Sequence, residues 1–146
     1  MLTPKLSEAL RAVPFLATLG ITVEQAQAGE VVLRLPSNEG NRGHGGTLHT
    51  GALFSVGELA AGVALGTHPR LQGLQHLIRG TSVRYQRSST ADVTARAAIT
   101  DELLETILKG VQDSGRAEVS VQVTLMDGHA NDVAELLVRY LLKATT

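Results

Sequence analysis

The sequence has 146 residues, of which 43% are hydrophobic and 18% charged, with a net charge of −1. That is the length of a single globular domain, residues 1–146, and excludes a disordered chain. There is no cysteine, which excludes disulfides, thiolate metal centres and cysteine nucleophiles and is compatible with a cytoplasmic location. The charge balance lacks the basic stripe of a nucleic-acid binder, and 3% aromatic residues give little for base-stacking or sugar platforms.

In chain order, the first apolar stretch is broken by Lys5, Glu8 and Arg11 and does not read as a signal peptide. Leu6, Leu10, Val13 and Leu16 recur at helical spacing, so residues 4–17 are expected to form a short amphipathic helix whose last turn Pro14 weakens. Residues 21–28 and 31–35 read as two strands joined by a hairpin turn at Ala28-Gly29-Glu30. Residues 37–47 carry four glycines and no periodicity, and read as a loop.

Residues 49–66 change character. Leu53, Phe54, Val56, Leu59, Ala60, Val63 and Ala64 cover nearly the whole helical circumference, which predicts a buried helix. Gly57 and Gly62 lie in its interior, each costing about 1 kcal/mol relative to alanine; close approach of another backbone, as in a tightly wrapped sheet, would compensate. Residues 52–66 are the most apolar stretch, but Glu58 sits in their middle and they are too short to cross a bilayer, so no membrane insertion is expected.

After a loop around Pro69, alternation predicts strands over 81–86, 93–99 and 117–125, with a helix between the last two from Leu103, Leu104, Ile107, Leu108 and Val111. Residues 131–142 fit helical and strand periodicity equally. They are read as a strand because the preceding strand needs a neighbour and Asp127-Gly128 can begin a hairpin turn. One buried helix against an antiparallel sheet is an α+β architecture.

Glu58 is the residue that asks for an explanation. A buried, unpaired carboxylate costs several kcal/mol, so it must be paired, protonated or open to a cavity. It is either a structural residue, bridged to Arg79 or Arg84 or simply exposed, or a catalytic carboxylate. His49-Thr50-Gly51 immediately precedes the apolar run, where a helix start offers free N–H groups and positive potential. Gly51 and Glu58 are close to two turns apart and share a helical face, open between them at Ser55. A carbonyl oxygen held near Thr50 and Gly51 would be polarised.

The run His49-Thr50-Gly51-Ala52-Leu53-Phe54-Ser55-Val56-Gly57-Glu58-Leu59-Ala60 resembles the signature of hotdog-fold acyl-CoA thioesterases of the phenylacetyl-CoA type: His-Gly-Gly, a short apolar stretch, then an acid on the helix. Gly80-Thr81-Ser82-Val83-Arg84-Tyr85, residues 92–100, and Gly115-Arg116 with its following strand resemble the later elements, so the likeness spans roughly residues 20–142. It implies a hotdog fold, with an antiparallel sheet around a long central helix. It also implies a homodimer or dimer of dimers with sites at the subunit interface, and an acyl-CoA or other acyl thioester as substrate. No cofactor is implied beyond the coenzyme A of that substrate.

Carried over by position, the carbonyl donor falls on Thr50 with Gly51 beside it. The acid falls on Glu58, facing the donor of the neighbouring subunit as general base or nucleophile. Asn41 resembles a family asparagine that orients the catalytic water, two residues further from Thr50 than the family pattern. The substrate pocket would draw on His49, Leu53, Phe54, Ser55, Thr81 and Val83, with Arg87 as the preferred partner of the nucleotide phosphates over Arg79, Arg84 and Arg116. Thr50 stands where the family has its first glycine, and glutamate replaces the commoner aspartate, as in an uncharacterised branch of the superfamily.

Other readings fare less well. His44-Gly45-Gly46 is a literal His-Gly-Gly, but its register puts Leu53 where an acid is needed. The glycine-rich loop completes neither a Walker motif nor a dinucleotide fingerprint. His44, His49 and Glu58 match no usual metal-ligand spacing, so no metal is expected. A dehydratase would need an activating histidine, and only His49 is near that place. The rival from another class is a non-catalytic acyl- or acyl-CoA-binding protein on the same fold, which would have no use for Glu58.

Overall fold

The computed structural model describes residues 3–145. Two short helices open the chain, α1 (Thr3–Arg11) and α2 (Pro14–Leu19). The single helix expected over 4–17 is thus divided. Pro14 occupies the first turn of a new helix, where its missing N–H costs nothing, instead of weakening the end of an old one. Gly20, in the left-handed conformation at φ 72°, ends α2.

β1 (Thr22–Gln27) and β2 (Glu30–Leu35) form a hairpin around Ala28 and Gly29, both at positive φ. Hairpin turns favour this backbone, and Gly29 has a further reason to lack a side chain. A Cβ there would lie 2.5 Å from the His68 ring.

The loop that follows leads into the long helix α3 (Thr50–Thr67). Then come β3 (Leu74–Tyr85), β4 (Val93–Ala98), α4 (Asp101–Ser114), β5 (Arg116–Asp127) and β6 (Asp132–Ala144). The ambiguous C-terminal segment is a strand, as expected. It pairs with β5 on one side and β3 on the other. Asp127 shapes the turn before it by accepting hydrogen bonds from the His129 and Asn131 amides.

The six strands form one antiparallel sheet in the order β1-β2-β4-β5-β6-β3, and α3 packs against β2, β4, β5, β6 and β3. This is the hotdog architecture. Val56, Ala60, Ala61 and Ala64 of α3 meet inward residues such as Leu33, Ala95, Val121, Val123, Leu125 and Leu136, all fully buried. The helix is small-sided because side chains of the sheet fill the space. A Cβ on Gly57 would stand 2.7 Å from Leu136 Cδ1 and 3.2 Å from Leu125 Cδ1. The close approach that the sequence assigned to a backbone is therefore made by leucine tips. α3 is the one described helix long and apolar enough to cross a membrane, and half of it is buried inside the protein.

β3 is longer than the 81–86 expected. Its pairing with β6 shifts between Ile78 and Gly80, which leaves Arg79 as a bulge. It also forms an edge of the sheet and leaves Leu77, Ile78 and Tyr85 exposed. On the far side, Arg34 bridges Glu24 at 2.7 Å and Asp92 at 3.0 Å, tying β1 and β2 to the start of β4.

Candidate active site

The start of α3 is held by its neighbours. The His49 amide donates to the Asn41 carbonyl at 2.8 Å, and the Tyr85 hydroxyl donates to the Thr50 carbonyl at 3.3 Å. His49 caps the helix: its Nδ1 accepts from the Gly51 N–H at 2.8 Å, which places the ring proton of the neutral imidazole on Nε2. The His49 carbonyl accepts from the Ala52 and Leu53 amides. The Thr50 N–H therefore stands without a partner among the described residues, whereas that of Gly51 is taken by His49. Of the two sequence-expected donors, only Thr50 is open.

Asn41 is 2% exposed. Its side-chain amide donates to the carbonyls of Leu19 and Pro36, at 2.7 and 2.9 Å. It braces the loop against the end of α2, and its amide hydrogens are committed to that task.

Glu58 projects from the middle of α3, half-buried. It forms no ion pair among the described residues, so neither Arg79 nor Arg84 neutralises it. Its Oε2 instead accepts a hydrogen bond from the Thr81 hydroxyl at 2.9 Å. The carboxylate opens on a cavity of about 280 Å³. Phe54, Ser55, Leu59 and Gly62 of α3 form one wall, Ile78 and Tyr140 another, and Phe15 and Leu16 of α2 a third. Ser55 donates to the Gly51 carbonyl at 2.7 Å and turns its hydroxyl back along the helix.

Tyr140 is the polar group nobody would have picked from the pattern. Burial pushes its phenol up to about 12, with the nearby Glu58 charge adding to the effect. Its ring meets His76 edge to face at 5.7 Å, and burial lowers the pKa of that imidazole. The sequence carried a weak signal for it: Leu136, Val138 and Tyr140 share one parity of β6, the parity that faces inward.

Of the remaining sequence-expected residues, Thr81 reaches Glu58 directly and Phe54 and Ser55 line the cavity. Val83 is half-buried two positions along the same strand face and borders a separate groove with Arg84, Glu135 and Leu137. Leu53 is a correction: at 3% exposure it packs into the core instead of lining the cavity. Arg87 is exposed just past β3, with its backbone N–H held by the Val133 carbonyl. Among the described residues His44, His49 and Glu58 do not gather into a metal-ligating cluster. A larger cavity of about 370 Å³ lies between α1, α2 and β1, and its lining includes no carboxylate.

The family model described as a domain of unknown function, DUF4442, matches residues 5–142. The chain belongs to the DUF4442 family. No curated protein matches it at a significant level. Among solved structures, this DUF4442 chain is similar to a protein of unknown function from Pseudomonas aeruginosa, named a probable thioesterase. The two share 26% identity and a TM-score of 0.88, over 97% of this chain and 96% of that one. Thioesterase superfamily member 2 from zebra fish matches at 18% identity and TM-score 0.73, over 98% of both chains. A hypothetical thioesterase from Streptococcus pneumoniae TIGR4, solved with coenzyme A, matches at 14% identity and TM-score 0.63, over 86% of this chain and 88% of that one. These three structural neighbours of the DUF4442 chain thus share its fold and carry thioesterase names.

Proposed function

We propose that this chain is an acyl-CoA thioesterase with Glu58 as the carboxylate that drives hydrolysis. The observation that carries the reading is the state of Glu58: a half-buried carboxylate, open to a mostly apolar cavity, hydrogen-bonded by Thr81 and paired with no cation among the described residues. A buried structural carboxylate is ordinarily paired with a cation, and the Glu58 carboxylate instead faces the cavity. The thioesterase names of the structural neighbours and the coenzyme A in one of them point to the same substrate class.

In this mechanism the thioester oxygen accepts from the Thr50 N–H at the positive end of α3, where the developing oxyanion is stabilised. Glu58, as general base, takes a proton from water as that water attacks the carbonyl carbon. Collapse of the tetrahedral intermediate expels the thiolate of coenzyme A, and the carboxylic acid is released. No cofactor is required besides the coenzyme A of the substrate, and the cytoplasm is the proposed location.

Thr50 and Glu58 of one chain are eight residues apart, about 12 Å along the helix axis. That is too far for both to work on one carbonyl group. The proposal therefore places Thr50 of one copy opposite Glu58 of a second. The free edge of β3, with exposed Leu77, Ile78 and Tyr85, is a surface on which two copies can pair.

The test is hydrolysis of a panel of acyl-CoAs by the wild-type protein and Glu58→Gln. A loss of at least about a hundredfold in kcat with binding retained is expected. Equal rates would remove Glu58 from the chemistry, and a monomer by light scattering would refute the two-copy site. Acyl-CoA binding with no turnover in the wild-type protein would favour a binding protein instead.

A further inference from the structure

One turn beyond Glu58, α3 carries Gly62, and the Tyr140 hydroxyl stands directly against it. A Cβ added to Gly62 would lie 2.9 Å from the phenol oxygen. Tyr140 is 3% exposed. Its hydroxyl nevertheless has no hydrogen-bond partner among the described residues. Every side-chain nitrogen or oxygen that is closed off among those residues does have one. The Tyr140 hydroxyl is therefore not sealed in, and it opens on the cavity that Tyr140 shares with Glu58.

Neighbouring groups do not use it. His76 meets the ring edge to face, which is a ring contact. Glu58 takes its hydrogen bond from Thr81. Apart from Glu58 and Ser55, whose hydroxyl is turned to the Gly51 carbonyl, the cavity walls around Tyr140 are apolar, among them Leu16, Leu59 and Ile78. A phenylalanine would pack there equally well and would spare the cost of desolvating a hydroxyl. A donor left open in an apolar cavity has a use when an acceptor enters with the ligand.

We propose that Tyr140 is an acyl-recognition residue, donating its hydroxyl hydrogen to an oxygen carried on the acyl chain. The preferred substrates are then oxygen-bearing acyl thioesters over plain hydrocarbon ones. This rests on the thioesterase reading, which places the acyl group in the Glu58 cavity. Four residues of helix, about 6 Å of rise, separate Glu58 from Gly62. The oxygen accordingly sits several carbon–carbon bonds beyond the thioester carbonyl.

The test compares ω-hydroxyhexanoyl-CoA with hexanoyl-CoA. The wild-type protein should favour the hydroxylated substrate in kcat/KM by about threefold to tenfold, the range of one net hydrogen bond. Tyr140→Phe should bring that ratio to about one. Gly62→Ala, which crowds the hydroxyl without removing it, should lower the ratio as well. Equal kcat/KM for the two substrates in the wild-type protein overturns the proposal, as does a preference that survives Tyr140→Phe. Dissociation constants on Glu58→Gln, which spares the thioester, separate the two readings. A binding preference lost in Glu58→Gln/Tyr140→Phe, with no turnover in the wild-type protein, refutes the hydrolase and leaves the role of Tyr140 standing. Turnover without preference refutes the role of Tyr140 alone, and failure of both ligands to bind overturns both.

Discussion

Adding one methyl group to α3 should have opposite effects at Gly57 and Gly66. In Gly57→Ala the new Cβ would stand 2.7 and 2.8 Å from the two methyls of Leu136 and 3.2 Å from Leu125. Both leucines are fully buried, so their tips have little room to withdraw. Overpacking of this kind costs about 1–3 kcal/mol, against which alanine returns up to about 1 kcal/mol of helix propensity. Taken from the middle of that range, the net loss is about 1 kcal/mol, or a fall in Tm of roughly 2–4 °C for a domain of this size. In Gly66→Ala the nearest atom is His76 Cε1 at 3.8 Å, an ordinary contact. Only the propensity gain remains there, reduced by the position near the helix end, for a Tm rise of about 1–3 °C. Thermal unfolding by circular dichroism at one fixed protein concentration reads both, since oligomerisation shifts Tm with concentration. A Gly57→Ala protein as stable as wild type, or a Gly66→Ala protein less stable than Gly57→Ala, would refute the packing argument.

Three further outcomes follow from the site and its supports. Thr81→Val removes the hydroxyl that orients Glu58 and should lower kcat about tenfold with little change in KM, as steady-state kinetics will show. Asn41→Ala leaves the Leu19 and Pro36 carbonyls without their donor and should cost about 2 kcal/mol in urea unfolding; an unchanged midpoint would mean that the brace carries no stability. Asp92 is held below its ordinary 3.8, first by the Ser37 amide and then by Arg34. Its folded pKa is depressed, so its contribution is fully present above 3.8 and is lost as pH falls through the lower folded value. Asp92→Asn should accordingly be less stable than wild type at neutral pH, by under about 1 kcal/mol at this partly exposed site, and the gap should close on acidification below 3.8.

The parts of this fold legible in the sequence are those where one rule acts alone. Val119, Val121, Val123 and Leu125 alternate cleanly because β5 lies in the middle of the sheet with one face on the core. α3 is apolar all round because the sheet wraps it, and Glu58 stood out against that background. Where two rules meet, the pattern misled. Leu6, Leu10, Val13 and Leu16 keep helical spacing across the break between two helices, and Val13 is 45% exposed at the junction of α1 and α2. The first half of β3 escaped notice because the bulge at Arg79 interrupts its alternation. Periodicity assigned Leu53 to no particular face, and only packing turned it inward. The cavity joins α2, α3, β3 and β6, and residues so far apart in the chain share no local signal for it; the parity of β6 turned Tyr140 inward, but its place beside Ile78, Phe15 and Glu58 shows only in three dimensions.

The bulge at Arg79 also decides what kind of sequence change β3 can survive. Ile78 lines the cavity and Thr81 holds Glu58, so both face α3, although they are three residues apart and a regular strand would put them on opposite faces. The extra residue acts as a phase shift between two half-strands. Its side chain is exposed in the single copy, so the fold of that copy depends on the presence of a residue there more than on which one it is. Deleting position 79 would swing either Thr81, Val83 and Tyr85 or Leu74, His76 and Ile78 away from the helix, whichever half gave way. At this one place the register of the strand is set by the length of the chain and not by the chemistry of the residue that fills it.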